Sequence, residues 1–187
     1  MKTVLMSTRP IYCEWIETGD KNVEVRKTKP NINTPFKVLL YCTKGGNLLY
    51  KSNNNNMVFL THKKHRNSIL RNNNIELNGK VIGEFICNQI NEYTEADLLN
   101  NKCSDEYPCL SDDELLAYKG KNNVLYFWHI SNLIIYDKPK ELSEFYRHDT
   151  SYDNSFGGYF EDRDKRTPIT RPPQSWCYVE EKAGDTE

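Results

Sequence analysis

Phe36-Lys37-Val38-Leu39-Leu40-Tyr41-Cys42-Thr43 is entered from Pro35 and broken by Gly45-Gly46. So short and apolar a run, bounded by breakers, predicts a central strand buried on both faces. The rest of the chain offers that strand partners. Val4-Leu5-Met6 is a short apolar strand. Asn22-Val23-Glu24-Val25-Arg26-Lys27 alternates polar with apolar residues, as a strand does. Asn78-Gly79 signals a tight turn before Lys80 to Cys87, and Gly83 within that strand marks a bulge or a close backbone approach. Val124 to Tyr136 is a long strand region, and Gln174 to Val179 is the last strand.

Two helices stand out. Ser7 and Thr8 offer capping oxygens, and Pro10 suits the first turn. Ile11, Tyr12, Trp15 and Ile16 recur at helical spacing, and Gly19 is the stop. Ser111 with Glu114 forms a capping box for the second helix, which Gly120 ends. Strands dominate, and they do not alternate regularly with helices. That argues against a doubly wound sheet and for a mixed β-barrel closing on its C-terminal strand. The expected class is α+β, mostly β, with two or three short helices.

At 187 residues the chain is one domain, 1–180, with a polar tail at 181–187. Residues 44–78 read as an insertion, low in complexity at Asn53 to Asn56 and Asn72 to Asn74, with a short hairpin strand at Met57 to Leu60. Residues 148–168, rich in Gly, Asp and Tyr, read as a surface loop. No apolar run approaches the ~18 residues of a membrane span, so no membrane partner is expected. The start of the chain lacks the apolar core of a signal peptide. The 6 cysteines read as reduced thiols in the cytoplasm.

With a net charge of -1, a nonspecific coat of nucleic acid is not the default expectation. Charge is nevertheless segregated. Residues 44–78 carry six bases (Lys44, Lys51, Lys63, Lys64, Arg66, Arg71) against Glu76, whereas residues 92–118 carry eight acids against Lys102. Lys63, Lys64 and Arg66 are the candidate phosphate-contacting arm, with a solvated loop as the competing reading.

Lys21, Glu24 and Arg26 form the candidate site. Glu24 and Arg26 share a strand face, and Lys21 lies at the strand mouth, where it can turn the same way. Two cations around a carboxylate can hold a phosphate, and the carboxylate can accept from the exocyclic amine of a base. An ion-paired cluster pinning the strand is the competing reading. Ser7, Tyr41 and a tryptophan, Trp128 foremost, would complete a base pocket. Trp15 and Trp176 are further stacking candidates, with a core place for Trp15 as the favoured competing reading; His129 is a candidate base, against the commoner structural role of a lone strand histidine. Cys103 and Cys109 make no Cys-x-x-Cys pair, so neither metal nor cofactor is expected.

Gly19-Asp20-Lys21-Asn22-Val23-Glu24-Val25-Arg26 resembles the Gly-x-Lys-x-x-Glu-x-Arg signature of ASCH domains, relatives of the PUA fold. Gly79 to Phe85 resembles the family's next strand. Trp128-His129-Ile130-Ser131 and Arg171 to Val179 resemble a subgroup of phages and low-GC Gram-positive bacteria (Firmicutes). The resemblance covers residues 1–43, 79–92 and 110–180. It implies a PUA-like β-barrel with a cleft beside the first helix that binds RNA, single-stranded nucleic acid or a modified base. One family subgroup is an amidohydrolase of N4-acylated cytidines using a Lys, a Thr and a Glu. Lys21 stands at the Lys position, Glu106 lies near the Glu position, and Glu24 replaces the Thr, so the hydroxyl is missing. The leading expectation is a nucleic-acid-binding module. A hydrolase of acylated cytidine or RNA using Lys21, Glu24 and Glu106 is the second, and a phage-type protein that binds a host protein is the third.

Overall fold

A computed structural model describes residues 2–52, 58–147 and 167–181. The chain runs β1 (Thr3–Thr8), α1 (Pro10–Thr18), β2 (Val23–Arg26), β3 (Phe36–Cys42), β4 (Asn47–Lys51), β5 (Val58–His62), α2 (Arg66–Leu70) and β6 (Ile75–Glu76). It continues with β7 (Val81–Thr94), α3 (Glu95–Leu99), α4 (Asp112–Lys119), β8 (Val124–Lys140), β9 (Phe145–Arg147) and β10 (Trp176–Glu181). The class is mostly-β α+β, as expected. Residues 182–187 of the expected tail and 148–166 of the expected loop lie outside the described residues.

Seven strands form one mixed sheet in the order β2-β8-β7-β3-β1-β10-β9, and β5-β4-β6 form a second. β1 and β3 are parallel; the other strand pairs among the described residues are antiparallel. β3 is central, as expected. Phe36, Val38, Leu40 and Cys42 enter one core, and Leu39 and Tyr41 enter another on the opposite face. The first core lies inside the curl of the sheet: Trp128 of β8 meets Phe36 of β3 edge-on at 5.6 Å and Trp176 of β10 at 6.0 Å. A third core, with Val23, Val25, Leu115 and Phe127, packs α3 and α4 outside.

Strand pairing does not close the barrel: β2 and β9 are the sheet's end strands. A side chain bridges the curl instead. Arg26 of β2 donates from Nη2 to the Ser7 carbonyl of β1 at 2.7 Å, four places along the sheet order.

The described residues contain four α-helices, more than expected. α1 begins after Arg9, because Ser7 and Thr8 stay in β1 and no side chain caps the helix. Gly19 ends it at φ 84°. α3 was missed: Thr94 and Asp97 make a capping box over one short turn. The segment 44–78 is no loose appendage. Leu48, Leu49 and Leu77 are fully buried, and the last two belong to the inner core. Among the described residues, no helix is long and apolar enough to cross a membrane.

Candidate nucleic-acid interface

β2 alternates, so Val23 and Val25 face the outer core while Glu24 and Arg26 face the curl. Lys21 precedes the strand and turns to the same side. Its Nζ lies 3.5 Å from Glu24 Oε2, and Arg26 Nη2 lies 2.9 Å from Glu24 Oε1. All three residues are buried, at 3%, 6% and 6% exposure. Buried charges require partners, and most are present. Lys21 Nζ donates to the Pro108 carbonyl at 2.6 Å, and Arg26 also reaches Thr8 Oγ1 and Ser175 Oγ, both at 3.4 Å. Two atoms are left over: Glu24 Oε2 and Arg26 Nε make no hydrogen bond.

Ser7 joins the cluster through its carbonyl, which Arg26 holds, while its hydroxyl donates to the Pro173 carbonyl at 2.7 Å. Tyr12 of α1 covers Lys21, with the amine 5.3 Å from its ring centre. Burial raises the Tyr12 hydroxyl above its ordinary pKa; Arg9 opposes this, and the Glu24 charge adds to it. An open groove of about 480 Å³ adjoins at Ser175, lined by Arg147 and residues 173–178, including Trp176 and Tyr178.

Trp128 and Tyr41 stand elsewhere than a base pocket needs. Trp128 is opposite Glu24 in the β2–β8 register, but it is fully buried in the inner core against Phe36 and Trp176, and its Nε1 makes no hydrogen bond. Tyr41 is 2% exposed in the core on the other face of β3, away from Lys21. Trp15 is half-buried on α1, where it meets Tyr12 at 5.6 Å.

The basic arm is a turn at Lys63–His65 followed by α2. Lys64 is exposed; Lys63 Nζ donates to the Lys44 carbonyl at 2.6 Å, and Arg66 grips Glu76 at 2.6 and 2.9 Å. Arg66 is therefore committed within the segment.

Glu106 is not in the Lys21 cluster. It is buried on the loop before α4, where Oε1 lies 2.7 Å from His129 Nε2 and accepts from Asn91 Nδ2 at 2.6 Å, and Oε2 makes no hydrogen bond. His129 thus has a carboxylate partner that local sequence did not reveal. Thr8, Pro108 and Ser175 were likewise missed as parts of the site. Ser175 alone carried a signal, since it stands in the closing Arg171 to Val179 motif.

All six cysteines are free, and burial pushes the Cys87 thiol up to about 12. Among the described residues, no three His, Cys, Asp or Glu side chains gather to hold a metal.

No protein-family model matches the sequence, and no curated protein matches it. Solved structures do. An ASCH protein from Zymomonas mobilis aligns over 96% of this chain and 88% of its own, at 15% identity and TM-score 0.54. Two single-substitution mutants from the same organism align at 15% and 14% identity, with TM-scores of 0.55 and 0.56. Each covers 96% of this chain, and 91% and 89% of the mutant chains are matched. This nearly full-length alignment gives the chain the fold of the Zymomonas mobilis ASCH protein, here a mostly-β α+β architecture with a curled mixed sheet.

Proposed function

We propose that this chain is a nucleic-acid-binding module that takes a nucleotide or a single-stranded segment, RNA foremost, at the Lys21–Glu24–Arg26 cluster beside α1. The observation that carries the reading is the pair of unsatisfied buried atoms, Glu24 Oε2 and Arg26 Nε. An acceptor and a donor that make no hydrogen bond at one ion-paired cluster suit the polar edge of a base. Lys21 supplies the charge for a carbonyl or phosphate. The groove at Ser175, with Arg147, Trp176 and Tyr178, offers a cation and aromatic faces to a neighbouring nucleotide. Lys63 and Lys64 extend the path along the backbone.

Fluorescence anisotropy with a labelled single-stranded RNA tests this. Lys21→Met keeps the apolar stem and removes the charge. It is expected to weaken binding about tenfold, as loss of a charged hydrogen bond does, and also to lower the melting temperature, because Lys21 is a buried partner of Glu24; affinity is therefore compared well below the variant's melting temperature. Equal affinity in Lys21→Met and the parent chain would remove the cluster from the interface.

A second reading, hydrolysis of an N4-acylated cytidine or of RNA, draws on Glu106, a buried carboxylate with one unpartnered oxygen two residues from the carbonyl that holds Lys21. Glu24 stands where the related hydrolases carry a threonine. The nearby hydroxyls are those of Thr8 and Ser175, both reached by Arg26. Product release from a panel of acylated nucleosides and RNA oligonucleotides separates turnover from binding alone.

A further inference from the structure

Residues 106–109 lie as a strap along Asp20–Asn22. The Asn22 amide donates to the Tyr107 carbonyl at 3.3 Å, and the Tyr107 amide donates to Asn22 Oδ1 at 2.7 Å. The Cys109 thiol donates to the Asp20 carbonyl at 3.3 Å. At the middle of this strap the Pro108 carbonyl takes Lys21 Nζ at 2.6 Å. A lysine amine has three donors, so the strap sets the direction in which the remaining ones point.

The strap is anchored on the far side of the sheet edge. His129 is opposite Val23 in the register, on the face turned away from Glu24. Glu106, next to Tyr107, brings Oε1 to His129 Nε2 and Asn91 Nδ2. Glu106 is 8% exposed and its other oxygen makes no hydrogen bond. Asn91 Nδ2 also lies 3.1 Å from His129 Nε2, so the three side chains form one cluster, in which the tautomer of His129 that carries its proton on Nε2 donates to the carboxylate. The side chain of His129 is 26% exposed and Nε2 faces the carboxylate, so a core-packing role does not account for it.

We propose that His129 is a positioning residue for Lys21. Through Glu106 it fixes the strap, and through the Pro108 carbonyl the strap holds the amine beside Glu24. The inference rests on the reading that Lys21 meets the ligand, but its first measurement needs no ligand.

That measurement is the rate at which an N-hydroxysuccinimide ester acylates Lys21, followed by mass spectrometry of the Lys21 peptide. His129→Ala is expected to speed Lys21 labelling about tenfold, the scale of losing a hydrogen bond to a charged group. Affinity for single-stranded RNA is expected to fall with it. His129→Gln places an amide N–H near the position of Nε2 and is expected to restore both. Unchanged Lys21 labelling in His129→Ala overturns the proposal. So does faster labelling that comes with a lowered melting temperature and no rescue by His129→Gln. If His129→Ala does not fold, Asn91→Ala removes the other donor to the same oxygen and is read the same way. Altered labelling in a chain that binds no RNA would leave the positioning role standing and retire the nucleic-acid reading.

Discussion

Gly83 shows how one residue can be set by its surroundings. A Cβ built there would meet the Ile134 carbonyl at 2.3 Å and the Ile135 Cα at 3.1 Å. The sequence marked this glycine as a bulge or close approach, and the β7–β8 register shifts between Val81 and Gly83 and again between Glu84 and Ile86. Gly83→Ala is expected to cost about 1–3 kcal/mol by overpacking, read as a lower urea midpoint. Arg26 carries a larger load, because it both neutralises Glu24 and bridges the curl to Ser7. Arg26→Ala leaves a buried carboxylate with Lys21 as its remaining ion-pair partner, and is expected to cost about 3 kcal/mol or more. Chemical denaturation measures it, and a cost below 1 kcal/mol would mean that water replaces the guanidinium. The pairing of Glu24 with Arg26 was legible from strand parity. The partners Pro108 and Ser175 were not, because they lie 87 and 149 residues from the side chains they meet.

Capping decides the short helices. α4 starts at Ser111, whose hydroxyl accepts from the Glu114 amide while the Glu114 carboxylate accepts from the Ser111 amide at 2.8 Å. Ser111→Ala is expected to cost about 1 kcal/mol. The Ser111 backbone amide and hydroxyl hold the Glu114 carboxyl below its ordinary range; Lys102, then Thr94, hold Asp97 lower still. Both groups have folded pKa values below their unfolded ones. Their stabilisation is therefore complete above about pH 5 and lost as the pH falls through the folded values. A titration of helical circular dichroism below pH 5 is expected to show α3 and α4 loosening, and Asp97→Asn should flatten the α3 part. The α4 box was read directly from sequence. The Thr-x-x-Asp box of α3 was present too, but five residues carry no helical period to flag it. The strands of segment 44–78 were understated for the opposite reason: Asn-rich flanks masked Leu48 and Leu49, both fully buried, of which Leu49 belongs to the inner core. Leu49→Ala is expected to cost about 2–5 kcal/mol, as core truncations do.

Charge is organised along the whole molecule. β7 runs antiparallel to β8 from the basic segment, which ends at Asn78, to the acidic one, which begins at Glu92. Single-stranded nucleic acid releases counterions with a slope of about -0.7 per phosphate contact. Substituting Lys63 and Lys64 together by Ala is expected to reduce the slope of log affinity against log salt by about 1.4 in magnitude, two such contacts. Arg66→Ala should change it less, because its guanidinium is already spent on Glu76. An unchanged slope in the double variant would take the arm out of the nucleic-acid path. The sequence by itself determined what periodicity, caps and breakers encode over a few residues: the central strand, α1 and its glycine stop, the α4 cap and the shared face of Glu24 and Arg26. Tertiary structure alone decided that the sheet curls without closing, that Trp128 is buried in the inner core and Tyr41 faces the other core, and that Glu106 belongs to His129. Parity states that two residues face opposite sides of a strand. Which side becomes the interior, and which distant loop covers it, follows from how all seven strands and their helices bury apolar surface together.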